Sequence, residues 1–286
     1  MSKSYTSAPH AITKAIQSLA PYFGDNLSIL TPGTIADLYT RTQEQTKVDF
    51  IDGKASQGTS VPVNEFLTAK GFTLQLPEIS GSTIASAGVV DIAVSWVETA
   101  KLVDLKLSSG KTVPGVEFEE FSVFNSPELS NPVIKLDAKL GETSEYIEVY
   151  FSRSDTIIPD DFVSLQDFLS KLTLKRYFEP TTNFVTPAIN LDISGALPVL
   201  NGINIRGTTG EVFTTQEGAF QAILKLNEKG ARAKAAVGLL CGCSAMNVPL
   251  NIIIDGPFYI WFKYQGVVYF AAHIFEDVMA LPENLD

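Results

Sequence analysis

The sequence predicts an α+β fold, with helices mainly in the N-terminal third and strands in most of the remainder. Two observations lead to this prediction. Apolar residues recur at helical spacing up to about residue 70, whereas β-branched and aromatic residues fill short runs from Ala87 onward. A chain of 286 residues that is 45% hydrophobic can bury a large core. Because no internal repeat divides it, we expect residues 1–286 to form a single domain.

Three helices are predicted in the N-terminal third. Ala11–Tyr22 has apolar residues three and four positions apart, and Pro21 is expected to end it. A second helix is expected to follow Thr34. A third, Val63–Lys70, is followed by Gly71, which is a typical C-cap signal.

The remaining two thirds of the chain are predicted to be mostly strands. A single helix, Val163–Leu172, interrupts them, because its apolar residues have helical spacing. The predicted strands are Gly88–Trp96, Val116–Phe124, Val133–Ala138, Tyr146–Ser152, Val185–Ile193, Gly218–Asn227, Leu250–Ile254, Pro257–Tyr264 and Val267–Ile274.

Charge and length exclude several classes of partner. The net charge is −11 and no cluster of lysine or arginine stands out, which argues against nucleic acid and anionic membranes. No apolar run approaches the ~20 residues that a membrane helix needs. The N-terminal residues lack the apolar core of a secretory signal, so we expect a cytoplasmic protein, or a secreted one if a leader has been trimmed.

The inventory of reactive side chains argues against catalysis. His10 stands in what we interpret as a polar leader, and His273 lies in an apolar strand-like run where a structural histidine is expected. Cys241 and Cys243 are interpreted as free thiols, because no histidine near them in sequence completes a metal site. We therefore predict a protein that is not an enzyme and has neither a metal nor a cofactor.

The most informative segment runs from Glu228 to Leu239. Small or apolar residues occupy every second position from Ala231 onward, and Arg232 and Lys234 stand between them. This alternation fits a strand with one buried face, although alanine and glycine are poor strand formers. Two interpretations therefore stay open on the pattern alone: a short helix or surface loop, and a loop that can insert into a sheet as a strand.

The order of motifs resembles that of the serpins. Gln216–Gly230, with Asn-Glu-Lys-Gly at its end, is similar to the central serpin strand that leads into the reactive-loop hinge. Asp255–Phe258 resembles the Asp-x-Pro-Phe strand downstream of that loop. Thr31–Thr34 is similar to the Ser-Pro-x-Ser start of the second serpin helix. Tyr269–Ile274 resembles the final strand, with Ala-His where serpins usually have Gly-Arg.

The resemblance implies a serpin-like fold with large mixed and antiparallel sheets, helices mainly from the N-terminal part, and an exposed reactive-centre loop at about residues 231–248. It also implies an abbreviated member, because few residues separate Tyr39 from Val48, where serpins have several helices and a strand. Since the heparin-type activation surface of serpins lies there, no heparin activation is expected. The implied hinge residues are Glu228, Gly230, Ala231, Ala233, Ala235 and Val237.

By the same resemblance, the chain would be a monomeric protease inhibitor. A protease would attack near Ser244, and the candidate reactive-bond residues are Cys243, Ser244, Ala245 and Met246. No lysine or arginine lies between Ala235 and Met246, which disfavours a trypsin-like target. A serine protease or a papain-like cysteine protease that accepts small or apolar residues is expected instead. The alternative is a non-inhibitory serpin-like binding or structural protein with a truncated scaffold.

Overall fold

The structure is a computed structural model and describes residues 3–154, 164–176, 181–208, 210–231 and 250–285. The chain folds into two compact units. The first consists of Met1–Ser7, Ile92–Leu191 and Ile223–Asp286, and the second consists of Ala8–Asp91 and Asp192–Ala222.

The helices and strands of the described residues are numbered here in chain order. The helices are α1 Pro9–Gln17, α2 Ala20–Phe23, α3 Thr34–Thr42, α4 Val61–Ala69 and α5 Ser164–Ser170. The strands are β1 Tyr5–Ser7, β2 Ser28–Ile29, β3 Ile51–Gln57, β4 Ile84–Val90, β5 Val94–Trp96, β6 Lys101–Lys106, β7 Thr112–Phe118, β8 Ser122–Asn125, β9 Val133–Leu140, β10 Tyr146–Arg153, β11 Lys175–Arg176, β12 Thr181–Pro187, β13 Ile189–Ala196, β14 Asn204–Arg206, β15 Val212–Thr214, β16 Ala219–Leu226, β17 Gly230–Ala231, β18 Leu250–Ile253, β19 Phe258–Tyr264 and β20 Val267–Ile274.

Two sheets form the first unit. One has the strand order β1-β20-β19-β10-β9-β5-β17, and β8 and β11 extend it beside β9. The other has the order β18-β12-β7-β6 and is mixed, because β18 runs parallel to β12. Helix α5 packs on the first sheet, where the side-chain amide of Gln166 donates to the carbonyl of Val268 at 2.6 Å. The core beneath α5 contains Leu129, Val133, Tyr150, Leu165, Leu169, Tyr259, Trp261, Val268 and Ala271.

The second unit is organised around the antiparallel pair β3 and β4, which are in register from Ile51 opposite Val90 to Gln57 opposite Ile84. Helix α4 covers one face of β4, because its Val63 and Leu67 share a buried cluster with Ala85, Ala87 and Val89. Helix α1 covers the opposite face, since strand side chains alternate between faces and Gly88 lies against the α1 backbone. Residues 43–50, between α3 and β3, form turns and a bend.

The predicted helices are confirmed, with one correction at Pro21. This residue was expected to end the first helix, but it lies in the first turn of the separate helix α2. The physical reason is that a helix leaves its first backbone N–H groups without partners inside the helix, so proline is tolerated there. Gly24, with φ of 83°, ends α2.

Three predicted strands are wrong in extent because each one spans a point where the chain changes partners. Gly88–Trp96 divides into β4, which pairs with β3, and β5, which pairs with β9. Val116–Phe124 divides into β7 and β8, which belong to different sheets. Val185–Ile193 divides at Ala188 into β12 and β13. A continuous apolar run indicates that its residues are buried. It does not indicate the residue at which the chain leaves one sheet and joins another.

The interpretation of His10 as part of a polar leader is wrong. His10 lies in α1, is fully buried, and has Nε2 at 2.8 Å from the side-chain oxygen of Gln45. Burial lowers the pKa of His10, because the protonated ring loses its hydration. His273 is a buried residue of β20, as the sequence predicted, and its Nδ1 lies 3.3 Å from the hydroxyl of Tyr5.

Replacement of Gly88 by alanine is expected to destabilise the protein by about 2–3 kcal/mol. A Cβ at this position would lie 2.1 Å from the carbonyl oxygen of Ala11 and 2.5 Å from the amide nitrogen of Ala15, and helix backbone cannot yield as a flexible side chain can. Urea unfolding should show a lower midpoint. Gly256→Ala is the matched control, because the nearest atom to its Cβ would be 3.5 Å away. Equal midpoints for the two variants would contradict this packing argument.

Candidate functional site

The candidate site is the hinge turn, which we define as Asn227–Gly230 between β16 and β17. The amide of Asn227 donates to the carbonyl of Gly230 at 3.0 Å, and the amide of Gly230 donates to the carbonyl of Asn227 at 3.4 Å. The side-chain oxygen of Asn227 accepts a third hydrogen bond from the amide of Lys229 at 2.9 Å. Asparagine therefore closes the turn through both its backbone and its side chain, which is a common role for this residue.

Strand β17 leaves the hinge turn along the edge of β5. It pairs antiparallel, with Gly230 opposite Ser95 and Ala231 opposite Val94. The approach at Gly230 is so close that a Cβ would lie 2.2 Å from the carbonyl oxygen of Val94. A residue without a side chain is therefore required there. Ala231 is only 3% exposed, at the position where the alternation predicts an inward-facing residue.

Trp96 connects β5 to the hinge turn. Its indole Nε1 donates to the carbonyl oxygen of Asn227 at 2.9 Å, and both residues are buried. The indole ring meets the ring of Phe118 edge to face, with centroids 5.2 Å apart. A buried hydrogen bond of this kind is costly to break without a replacement. Trp96 therefore holds the hinge turn against β5.

Two strands, β4 and β16, each have one edge that pairs with no other described strand. In the described part of the chain, β4 pairs only with β3, and β16 pairs only with β13. An unpaired edge presents a row of backbone donors and acceptors that can accept a further strand. Each of these strands can therefore take a new partner without losing the one it has.

Gln221 of β16 clamps the segment that follows α4. Its side-chain oxygen accepts hydrogen bonds from the amides of Thr73 at 2.8 Å and Leu74 at 2.7 Å. Its side-chain nitrogen donates to Asp192 of β13 at 2.7 Å and to the hydroxyl of Thr73 at 3.0 Å. One amide group thus ties β13, β16 and the segment after α4 together within the second unit.

Comparison with known proteins gives matches at the level of structure. No protein-family model matches the chain, and no curated protein sequence matches it. Serpin48 from the insect Tenebrio molitor aligns with 11% identity and a TM-score of 0.54, covering 99% of this chain and 93% of its own. Human thyroxine-binding globulin in complex with thyroxine aligns with 12% identity and a TM-score of 0.59, covering 95% of this chain and 91% of its own.

The chain has a serpin-like fold. Another structure of thyroxine-binding globulin with thyroxine agrees, at 12% identity and a TM-score of 0.56. The α+β prediction is therefore confirmed, as is the resemblance to serpins at the level of fold. At this level of identity the likeness concerns the fold alone.

The described residues include only part of the predicted serpin-like site. Glu228, Gly230 and Ala231 belong to the hinge turn and β17. The remaining hinge and reactive-bond residues lie outside the described residues, and these are Ala233, Ala235, Val237, Cys243, Ser244, Ala245 and Met246. Glu228 is half-buried, and its Oε2 accepts no hydrogen bond from any described residue.

The described residues contain no group of three or more histidine, cysteine, aspartate or glutamate side chains that could hold a metal ion. They also contain no helix that is long and apolar enough to cross a membrane.

Sequence reasoning did not identify Trp96 or Gln221 as parts of this site. Trp96 contacts a residue 131 positions away, and Gln221 contacts one 148 positions away. The pattern of neighbouring residues does not indicate contacts between residues so far apart in the sequence. The only available signal for Trp96 was its place at the end of a strand-like run that the resemblance sets in the main sheet.

Trp96→Phe is expected to loosen the hinge turn while keeping its aromatic packing. Loss of the indole donor leaves the Asn227 carbonyl without this partner, which costs about 1–2 kcal/mol. The amides of Gly230 and Ala231 should then exchange with solvent roughly 5–30-fold faster, measured by hydrogen exchange with mass spectrometry. The amides of β10 provide the internal control. Equal acceleration in β10 would indicate global destabilisation and contradict a local role.

Proposed function

We propose that this protein is a serpin-type protease inhibitor. A protease cleaves the loop at about residues 231–248 and becomes attached to it as an acyl-enzyme. The hinge segment then inserts into the sheet as a strand and carries the protease with it. Strand insertion that releases stored strain is an established mode of serpin action. The observation that carries the proposal is the closed hinge turn, which directs β17 along β5.

The alternation of small and charged residues supports insertion in a single register. With Ala231, Ala233, Ala235 and Val237 facing inward, Arg232 and Lys234 remain in water. A slip by one residue would reverse every side chain and bury both cations. Burial of an unpaired charge costs on the order of several kcal/mol or more, so the shifted register is strongly disfavoured.

The target follows from the residues around the attacked bond. The proposed bond lies near Ser244, among Cys243, Ala245 and Met246. A trypsin-like protease requires a cationic residue in its specificity pocket, and this segment has none. Elastase-like, chymotrypsin-like or papain-like proteases, which accept small or apolar residues, are the proposed targets. We propose a cytoplasmic monomer that acts without heparin.

A second candidate function is a non-inhibitory binding or structural protein. The observation in its favour is that thyroxine-binding globulin, which is named for binding a small molecule, is as similar to this chain as Serpin48 is. The short connection at residues 43–50 also fits a reduced scaffold. The two candidates differ in one respect that can be measured, because only the inhibitor forms a covalent complex with a protease.

Incubation with a panel of proteases tests the proposed function. Elastase-like, chymotrypsin-like and papain-like enzymes should give a complex that survives a denaturing gel in the absence of reducing agent, with attachment at one residue between Cys243 and Met246 identified by mass spectrometry. Trypsin should give no such complex. Cleavage of the segment by every enzyme without any covalent complex would contradict inhibition and favour the second candidate.

A further inference from the structure

A cavity of about 400 Å³ lies in the first unit, where β5, β7, β8 and β9 come together. Three aromatic side chains contribute to its wall, namely Trp96, Phe118 and Phe121. Its volume falls within the range of sites that hold small organic molecules. The remaining lining residues are Val97, Glu98, Glu119, Glu120, Ser122, Lys135, Leu136 and Asp137.

The charged residues that line this cavity are mostly acidic. Among the described residues that line it, Lys135 is the one cation, and its charge is balanced by Asp137 at 3.0 Å and Glu148 at 3.3 Å. Glu119 forms an ion pair with Lys101.

Glu98 and Glu120 complete the charged lining. Both are exposed, and neither forms a hydrogen bond or an ion pair with a described residue. Two carboxylates at the cavity are therefore available to balance the charge of a ligand.

We propose that this cavity binds a small organic cation. Phe121, the half-buried aromatic residue of the lining, provides apolar contact and attracts a positive charge through its π-system, and the two carboxylates supply the opposite charge. An inorganic divalent cation is a poorer occupant, because it requires a shell of oxygen ligands around one point, and the described residues contain no group of three or more acidic, histidine or cysteine side chains that could hold a metal ion. An anion would meet the carboxylates and be repelled. The proposal does not depend on loop insertion, since the cavity is formed by described residues of the first unit alone.

Titration calorimetry with choline and its neutral isostere 3,3-dimethylbutan-1-ol tests the charge preference. The two probes have nearly the same shape and differ in charge, so any difference between them measures electrostatic and cation–π attraction. Choline is expected to bind about tenfold or more tightly than the isostere. Its binding should weaken as salt is raised, because the carboxylates are exposed. Equal binding of the two probes, or no binding of choline, would overturn the proposal.

Charge-neutralising substitutions locate the site. Glu98→Gln and Glu120→Gln are each expected to weaken choline binding by about 3–10-fold, and the double variant should weaken it further. Both positions are exposed, so the fold should tolerate these changes. Glu142→Gln is the matched control, because it removes the same charge from an exposed residue outside the cavity. An equal loss in the control would show that net charge, rather than this cavity, governs binding, and would overturn the assignment.

Discussion

Cutting the chain once between Gly238 and Asn247 is expected to raise the melting temperature by on the order of 20 °C. Inserted as a strand, the hinge segment would form roughly ten new ladder hydrogen bonds, each contributing about 1 kcal/mol net. A gain of about 10 kcal/mol in a chain of this size corresponds to a shift of that order. Differential scanning calorimetry of intact and nicked protein provides the measurement.

The nicked sample must contain both fragments, so that it has the same composition as the intact protein with which it is compared. Both fragments should stay together, because β18, β19 and β20 of the C-terminal fragment pair with β12, β10 and β1 of the N-terminal fragment. A simple surface cut would leave the melting temperature unchanged or lower it, because a nick adds freedom to the unfolded chain. An unchanged melting temperature would show that no strand is inserted and would favour the non-inhibitory candidate.

The proposed insertion needs a strand with an unpaired edge. In the described part of the chain, β4 and β16 each have one paired edge and one free edge. Natural proteins usually protect such edges, because they can accept strands from other chains. Here Gln221 ties the segment after α4 to β16 through three hydrogen bonds of 2.7–3.0 Å. Rearrangement of the edge of β16 would therefore require this clamp to open first.

Sequence patterns were sufficient to locate helices and strands whose burial follows one regular pattern along their length. α1, α3 and α4 each have one apolar face, and most residues of β9 and β10 are buried, so the sequence pattern located them. β3 and β6 were missed. β6 reads Lys-Leu-Val-Asp-Leu-Lys and is largely exposed, and β3 contains Asp52, Gly53 and Lys54. Such residues have weak strand preference, and pairing with a neighbour decided their conformation.

The hinge residues after Ala231 stay a prediction, and the contacts that hold the hinge turn in place were not predicted. Small residues at alternate positions after Glu228 pointed to an insertable strand, and resemblance placed that strand after a central one. The structure gives the reason for glycine at position 230, where the lack of a side chain allows β17 to approach β5, and it adds the hydrogen bond from Trp96 to Asn227. These contacts join residues far apart in sequence. The assignment of the reactive bond to Cys243–Met246 stays a prediction.

Ala233→Glu is expected to abolish covalent trapping and convert the protein into a substrate. If the hinge inserts with Ala231 and Ala233 facing inward, this change places a carboxylate on the buried face. The cost of burying an unpaired charge is several kcal/mol or more. Since 1.4 kcal/mol corresponds to a factor of ten, the fraction of protease trapped should fall by about 100-fold or more. Densitometry of denaturing gels at fixed protease concentration measures the ratio of complex to cleaved protein.

Lys234→Glu is the matched control, because it introduces the same side chain one residue later on the face predicted to stay in water. It should retain trapping within about threefold, since an exposed charge contributes less than ~1 kcal/mol. The parity of the alternation therefore predicts opposite results for two adjacent positions. Trapping that survives in Ala233→Glu would contradict insertion in this register. Loss in Lys234→Glu alone would place the inward face on the even-numbered residues, because a slip by one residue exchanges the two faces of a strand.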